Sequence, residues 1–418
     1  MAVLARIIIS IILSLFFLTS CTNDDNVVAL PAAPSNAMTA AELTTYFEQL
    51  TISTELPGLA ISIVEDGSIV YQNAIGLSNI ENQNPYTNQT INGIASISKT
   101  FVGAAVAKAI EQDLFTLETP INDLLPIAVV NLKRPEAIIR VKHLVTHTSG
   151  IVDNMEFYLP YDYFFLPGQD LNTIGAKILK EAIGMEESNP VPLADYMGEY
   201  FLEDGEFYST DSYIDAAPGS TWAYSNTATD LMGFIIETTS GMSFDQYVKT
   251  YILDPLQMSS STFNVLEVDL NKMATPYLNK NTAFPFYGNQ GYPEGSIYAT
   301  NEDLGKFLLD MTRGLKGESS VLFGSTYYDL LFTPLLPDNI VPNEFAENHG
   351  LYWYTKNGKW MHGGNSLGLS THMEITKNGS NGFIVVTNMD GTFYENEENW
   401  TIVKQKITEG VQAFLEDN

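Results

Sequence analysis

Sheet-forming patterns lie near the two ends of this 418-residue chain, and helical patterns fill the long middle. Near the N-terminal end, two β-branched runs within residues 58–76 flank Asp66 and Gly67, a pair typical of hairpin turns. Near the C-terminal end, four short strands are predicted: Leu351–Tyr354, Lys359–His362, Thr371–Ile375 and Phe383–Thr387. Residues about 100–260 carry helical patterns broken by Pro and Gly, with no clear run of strands. We therefore predict an α+β fold: both ends form one antiparallel sheet, and a helical subdomain of residues about 100–275 is inserted between them.

Two terminal helices are expected to flank this sheet. Residues Thr39–Glu42 match a capping box, and apolar residues at helical spacing follow, which predicts a helix over about 40–51. Residues about 399–416 place their apolar side chains on one helical face. The folded region should therefore be one domain over residues 39–418.

The charge and the cysteine count exclude several kinds of partner. The chain has 50 acidic and 20 basic residues, a formal net charge of −30, yet charged residues make up only 17%. A chain so poor in Lys and Arg repels nucleic acid, so we expect no nucleic-acid partner. One cysteine cannot form an internal disulfide or a Cys-X-X-Cys pair. The His and acidic residues show no metal-ligand spacing, so we expect no metal and no cofactor.

The first 20 residues read as an export signal. A basic residue precedes an apolar run from Ile7 to Leu18, about the length of a signal-peptide core and short for a membrane span. The segment Leu18–Cys21 resembles the lipobox of bacterial lipoproteins, which would make Cys21 the lipidated N-terminus and residues 21–38 a flexible tether. The alternative is an ordinary signal peptide in which Cys21 is incidental. The resemblance implies an exported bacterial lipoprotein of the cell envelope that touches the membrane only through its lipid.

The pattern Ser-x-x-Lys occurs once, at Ser96 and Lys99, directly before a helix rich in small residues. Residues three apart share one helix face, and a Ser at the helix N-terminus has a free backbone N–H that can hold an oxyanion. A Lys shielded from water could lose its proton and act as a base. The motif is weak evidence by itself, because a helix-capping Ser followed by a solvent-exposed Lys would give the same Ser-x-x-Lys pattern.

Two further motifs follow Ser-x-x-K in the chain. Tyr224 and Asn226 form a Y-x-N pattern between a Pro-Gly turn and a helical run. His362, Gly363 and Gly364 form the one H-x-G pattern, at the end of a predicted strand. Glycines at that position allow a substrate backbone to approach closely.

The order and spacing of these three motifs resemble the serine β-lactamase and penicillin-binding-protein family, with the class C-like branch most similar. Three further stretches support the resemblance: residues 139–151, 298–308 and 349–354. The resemblance covers residues about 40–415. It implies a β-lactamase/transpeptidase-like fold.

The resemblance also implies roles for the three residues that would carry the chemistry. Ser96 would be the nucleophile that forms an acyl-enzyme, and Lys99 would help to deprotonate it. Tyr224 would be the general base, or the proton relay between nucleophile and leaving group.

The remaining motif residues would bind the substrate. Asn226 would position Lys99 and the substrate amide, and His362 takes the place of Lys in the K-T-G form of the third motif. The backbone N–H groups of Ser96 and Asn365 would form the oxyanion hole, with Gly363 and Gly364 beside them.

These roles predict a serine hydrolase that acts on an amide or an ester. A D-alanyl-D-alanine carboxypeptidase-like peptidase or an esterase is favoured, because H-G-G in place of K-T-G resembles those members more than class C β-lactamases. The alternatives are a β-lactamase, or a penicillin-binding sensor lipoprotein that acylates without turnover. The expected partner is a small molecule or peptide: an acyl-D-amino-acid amide, an ester or a β-lactam.

Three other features leave alternatives open. Residues 364–368 match the G-x-S-x-G nucleophile elbow around Ser366, but that elbow needs a following helix and a strand pattern follows here. His143 and His147 look structural in the family. Residues 153–217, rich in Tyr, Phe and acids, are either a surface insertion or a lid or wall of the substrate cleft.

Overall fold

A computed structural model of the chain describes residues 28–340, 345–392 and 394–416. The expected signal peptide, Cys21 and the first part of the expected tether lie outside these residues. Residues 28–38 are described and contain no helix or strand. In the described ranges, no helix is both long enough and apolar enough to span a membrane.

Helices fill the middle of the chain and also lie at both of its ends. In chain order they are α1 (Ala40–Ser53), α2 (Ser98–Glu111), α3 (Val141–Val145), α4 (Met155–Asp162), α5 (Ile174–Ile183), α6 (Leu193–Phe201), α7 (Asn226–Ser240), α8 (Phe244–Val248), α9 (Asn301–Lys316), α10 (Ser325–Leu331) and α11 (Tyr394–Leu415).

Strands occur mainly near the ends of the chain. In chain order they are β1 (Gly58–Glu65), β2 (Ser68–Asn79), β3 (Asn84–Pro85), β4 (Ile91–Gly93), β5 (Tyr163–Phe165), β6 (Glu186–Glu187), β7 (Tyr277–Asn279), β8 (Thr282–Ala283), β9 (Tyr287–Asn289), β10 (Tyr298–Thr300), β11 (Asn348–His349), β12 (Tyr354–Lys356), β13 (Lys359–Ser366), β14 (Leu369–Thr376) and β15 (Asn381–Thr387).

One eight-stranded antiparallel sheet joins the two ends of the chain, in the order β11-β12-β13-β14-β15-β1-β2-β3. The joint is the pairing of β1 with β15, in which Leu59 lies opposite Thr387. The β-branched residues of both strands suit this buried position. The predicted α+β architecture, with one antiparallel sheet built from both chain ends, is therefore confirmed.

The terminal helices cover one face of this sheet. Alternate residues of β1, such as Leu59 and Ile61, pack in one cluster with Phe47 of α1 and Val403 and Ile407 of α11. This arrangement follows from the period of two along a strand and the apolar stripe along each helix. The other face of β1 presents Ala60 and Val64 to the large central core.

The capping box predicted for the first helix is present. Glu42 N–H donates to the Thr39 hydroxyl at 3.3 Å, and Thr39 N–H donates to the Glu42 carboxylate at 2.8 Å. Two otherwise unpaired amides at the start of α1 are satisfied by this exchange. The helix therefore begins where the sequence predicts.

The strand predicted over Leu351–Tyr354 is wrong in its first three residues. The strand begins at Tyr354, because the preceding residues form a tight turn in which Gly350 N–H donates to the Trp353 carbonyl at 2.7 Å. Tyr352 adopts a left-handed conformation with φ of 59°. The side chains of Leu351, Tyr352 and Trp353 are fully buried, so their apolar run reflects core packing and not a strand.

The chain also contains short strands that the sequence did not predict, and two of them, β5 and β6, lie within the expected helical subdomain. Strands β5 and β6 form a three-stranded sheet with β9, and β4 pairs with β10. Each of these strands has only two or three residues. Segments so short cannot show an alternating pattern, which is the signal that predicts strands.

Candidate active site

A strained turn presents Ser96. Strand β4 leads into a single 3₁₀ turn, Ala95–Ile97, and helix α2 begins at Ser98. Ser96 therefore lies just before the α-helix and not within its first turn. Ala95 has φ of 46°, a left-handed conformation that is unfavourable for any residue with a Cβ. Strain of this kind persists where the surrounding packing enforces it, and it is common at functional sites.

Lys99 lies in the first turn of α2 and is fully buried. Its ammonium group donates to the Ser96 hydroxyl at 3.3 Å and to the Asn226 side-chain carbonyl at 2.7 Å. It also donates to the Glu294 carboxylate at 2.8 Å and to the Glu294 backbone carbonyl at 2.7 Å. The first two motifs, 127 residues apart, therefore meet at one nitrogen atom.

Tyr224 packs against Lys99, whose ammonium nitrogen is 5.0 Å from the centre of the Tyr224 ring. Burial raises the pKa of Tyr224, and the nearby Lys99 charge and hydrogen bonds from Lys99 and Ser96 oppose this rise. The ring packs on His147 with 4.4 Å between centroids. Ser96, Lys99 and Tyr224 are thus brought together as the motif order predicts.

The charge state of Lys99 differs from the sequence expectation. Burial alone lowers the pKa of Lys99, but the Glu294 carboxylate, together with Tyr224, more than reverses this and raises the pKa above its usual value. The ion pair with Glu294 therefore favours the protonated form of Lys99, whereas the sequence led us to expect that a water-shielded Lys99 loses its proton.

Sequence reasoning missed Glu294 and Tyr158. Tyr158 accepts a hydrogen bond from the Asn226 amide at 2.9 Å and donates to Glu294 at 2.6 Å. With Lys99, which contacts both Asn226 and Glu294, these side chains close a ring. Glu294 lies in a 3₁₀ turn with no motif of its own, and its place between a Pro and a Gly was the one available signal.

The third motif lies on strand β13, beside the nucleophile turn. A Cβ on Gly364 would lie 2.9 Å from the Ser96 backbone nitrogen, so this glycine is needed for the strand to approach the turn. That reason differs from the expected approach of a substrate backbone. Gly363 lacks such a constraint, since a Cβ there would meet its nearest atom at 3.7 Å.

His362 is buried and uncharged. Burial, and to a lesser extent the Lys99 charge, lowers the pKa of His362 to about 3. Its Nδ1 atom lies 2.7 Å from the Gly363 carbonyl oxygen. His362 therefore does not supply the positive charge of the Lys that it replaces in the K-T-G motif.

Beside Ser96 lies a small polar pocket of about 280 Å³. Its lining comprises Ala95, Ser96, Tyr158, Tyr163, Asn226, Asn289, Glu294, Gly295, Asn365 and Ser366. Residues of all three motif regions therefore face one space. Ser366 lines it too, but it ends β13 and a turn leads straight into β14. The strand-turn-helix that a nucleophile elbow needs is missing there.

The segment 153–217 contributes to the wall of this pocket through Tyr158 and Tyr163. His147 has a supporting contact: its Nδ1 accepts from the backbone N–H of Ser225 at 3.3 Å, next to Tyr224. His143 accepts from the backbone N–H of Arg140 at 3.1 Å. In the described ranges, no cluster of His, Cys, Asp or Glu could hold a metal ion.

Known proteins share both sequence and fold with this chain. A family model described as Beta-lactamase matches residues 43–406. Esterase EstB of Burkholderia gladioli is 26% identical over 261 residues, which cover 62% of this chain and 59% of that protein. Protein flp of Staphylococcus aureus strain MW2 is 22% identical over 354 residues, 81% of this chain and 61% of that protein. The chain thus spans about three fifths of the length of these relatives.

Solved structures agree with these matches. The octameric penicillin-binding protein homologue from Pyrococcus abyssi has a TM-score of 0.63 and 25% identity, covering 88% of this chain and 77% of that one. The β-lactamase/D-alanine carboxypeptidase from Yersinia pestis has a TM-score of 0.62 and 18% identity, covering 89% of this chain and 98% of that one. Since the family model matches most of the residues, this chain belongs to the beta-lactamase family.

Proposed function

We propose that this protein is a serine hydrolase of the beta-lactamase family that forms an acyl-enzyme on Ser96. The observation that carries the proposal is the position of the Lys99 ammonium nitrogen, 3.3 Å from the Ser96 hydroxyl and 2.7 Å from the Asn226 carbonyl. This contact links two motifs far apart in the chain, and Ser96 and Asn226 both line one polar pocket. The names of the relatives support hydrolysis: one is an esterase and another, from Yersinia enterocolitica, is a β-lactamase.

In the proposed reaction, Tyr224 first ionises to the phenolate, and its oxygen takes the Ser96 proton while the Ser96 oxygen attacks a carbonyl carbon. Lys99 is already a cation and cannot accept that proton, so its charge stabilises the Tyr224 phenolate instead. The oxyanion would be held by the backbone N–H groups of Ser96 and Asn365. Tyr224 then gives the proton to the leaving group, and water attacks the resulting ester to release the acid and regenerate Ser96.

The charges around the pocket favour a substrate without a free carboxylate near the scissile bond. The pocket lining contains Glu294 and no Lys or Arg. The nearest cation, Lys99, already has Glu294 as its partner. A desolvated substrate carboxylate would therefore find no countercharge, which is costly. An ester or an uncharged amide fits better than a peptide ending in D-alanine.

Labelling of the full chain tests the nucleophile. A fluorophosphonate probe and a fluorescent penicillin are added, and labelled peptides are mapped by mass spectrometry in the wild type, Ser96→Ala and Ser366→Ala. We expect the fluorophosphonate to label Ser96, and the label to be lost only in Ser96→Ala. Labelling that persists in Ser96→Ala and disappears in Ser366→Ala would overturn the assignment.

Turnover tests the substrate class. We expect hydrolysis of short p-nitrophenyl esters, and weaker cleavage of an acyl-D-Ala-D-Ala peptide than of the same peptide with an amidated C-terminus. Preference for the free carboxylate would contradict the charge argument. A penicillin adduct on Ser96 that persists without product release would instead support the sensor alternative. Export and lipidation at Cys21 remain our proposal, which mass spectrometry of the purified N-terminal peptide would test.

A further inference from the structure

The Glu294 side chain opposite Lys99 is buried almost as deeply as the lysine. The Glu294 side chain is 5% exposed and that of Lys99 is 0% exposed. One carboxylate oxygen of Glu294 faces Lys99, and the other accepts from the Tyr158 hydroxyl. The backbone N–H of Glu294 donates to Asp230 at 3.0 Å, which fixes the turn that carries it. Lys99 and Glu294 therefore form a buried ion pair that further hydrogen bonds hold in place, and not a surface contact.

We propose that Glu294 is the counter-ion of Lys99 and, by holding Lys99 as a cation, sets the pH above which Tyr224 can take the proton of Ser96. This inference rests on the proposed function, because it concerns the base of that reaction. Glu294 acts through Lys99 and is therefore a positioning residue. Tyr158 also positions Glu294, because its hydroxyl donates to the Glu294 carboxylate and accepts a hydrogen bond from the Asn226 amide.

The net charge of the buried groups determines the direction in which the pH profile shifts in Glu294→Gln. With Glu294 ionised, the side chains of Lys99, Tyr224 and Glu294 together carry no net charge. Removal of the Tyr224 proton then leaves a buried net charge of −1. With glutamine at position 294, removal of the same proton takes the group from +1 to neutral. A low-dielectric site favours the neutral product, so the proton leaves at lower pH in Glu294→Gln.

Other titratable groups face Glu294 from the elements packed around it. They are Asp153, Tyr158, Asp162, Tyr163, Tyr224 and Asp230, besides Lys99. Burial raises the pKa of each of the three aspartates, to about 7 for Asp162. Among the described carboxylates, Glu294 is the one that forms an ion pair with Lys99, at 2.8 Å.

The test is the rate at which the fluorophosphonate labels Ser96, measured from about pH 6 to pH 11 in the full chain, because burial raises the pKa of Tyr224. In Glu294→Gln we expect the acid limb of this profile to move down by about one to three pH units. Tyr158→Phe is the matched variant, because it keeps the charge of Glu294 and removes its neutral donor. There the Glu294 carboxylate loses the hydroxyl that disperses its charge and opposes the Tyr224 phenolate more strongly, so the limb moves to higher pH.

The outcomes separate the two proposals. If wild type is labelled at Ser96 but Glu294→Gln loses rate equally at every pH, the counter-ion role is wrong and the proposed function stands. If Ser96 is not labelled in the wild type, the proposed function itself fails. If Glu294→Gln does not fold, as judged by circular dichroism, Tyr158→Phe provides the test. An acid limb that stays at the wild-type pH in Tyr158→Phe, or moves to lower pH, would overturn the inference.

Discussion

Gly364 on β13 and Ser96 in the nucleophile turn approach each other so closely that no side chain fits between them. A Cβ on Gly364 would lie 2.9 Å from the Ser96 backbone nitrogen, 2.7 Å from the Ile94 carbonyl and 2.5 Å from the Thr371 hydroxyl. Two of these three atoms belong to the backbone, which cannot rotate out of the way. Because residue 364 has no Cβ, β13 can pack directly against the turn that carries Ser96. This contact fixes the position of the nucleophile beside the pocket.

Gly364→Ala is expected to reduce the labelling rate of Ser96 by ~100-fold or more, since a displacement of ~1 Å at a reacting atom costs about that much. Gly363→Ala is the control, because its added Cβ meets nothing closer than 3.7 Å. We expect less than a ~5-fold effect there. Equal losses in the two variants would show that the close approach to Ser96 does not matter.

The Lys99–Glu294 pair should dominate stability near the site. Replacing Lys99 by methionine leaves Glu294 buried without its cation, at an expected cost of about 3–5 kcal/mol in the free energy of unfolding near pH 8. Urea unfolding of the wild type and of Lys99→Met near pH 8 measures this cost.

The control for that variant is Lys142→Met, which breaks an exposed pair. Lys142 lies 2.8 Å from Glu118, and their side chains are 39% and 67% exposed. A pair so accessible to water should contribute less than about 1 kcal/mol. If Lys99→Met cost no more than Lys142→Met, the buried pair would not be a strong constraint on the fold.

Local patterns explain which parts of this fold the sequence predicts. The hairpin at Asp66 and Gly67 and the capping box at Thr39 depend on neighbouring residues, and both are found where expected. The β-branched runs at both chain ends predicted that these ends share one antiparallel sheet, whereas the pairing of β1 with β15 is known only from the structure. The turn at Tyr352 could not be predicted, because buried turns and buried strands favour the same apolar residue types.

The candidate site shows the same division. Ser96 and Lys99 could be recognised because their motif is local in the chain, and the order of the three motifs indicated Tyr224 and Asn226. Glu294 contacts Lys99 across 195 residues of sequence. No local pattern encodes such a contact, so the charge state of Lys99 could not be predicted without the structure.

The capping box at the start of α1 offers a stability test far from the pocket. Thr39→Ala removes the hydroxyl that accepts from Glu42 N–H, which should cost about 1 kcal/mol of stability. Ser243→Ala is the control, because Ser243 precedes α8 without a capping hydrogen bond. Thermal melts should show a lower Tm for Thr39→Ala alone, with the labelling rate of Ser96 unchanged in both.

Asp162 makes stability depend on pH. It is fully buried, and burial, with Glu294 nearby, raises its pKa from about 3.8 to about 7. The folded state therefore binds the proton of Asp162 more tightly than the unfolded state does. Its contribution to stability is present in full below about pH 4 and is lost as the pH rises toward 7.

Asp162→Asn, which cannot ionise, should remove this contribution to the pH dependence. We expect the Tm of the wild type to fall more than that of Asp162→Asn between about pH 5 and pH 8, by several degrees. The exposed Asp329 provides the control, since Asp329→Asn should follow the wild-type curve. Parallel curves for wild type and Asp162→Asn would mean that Asp162 stays ionised in the fold. One of its hydrogen-bond donors, Asn289 or Gly291, would then have to stabilise the charge more than burial opposes it.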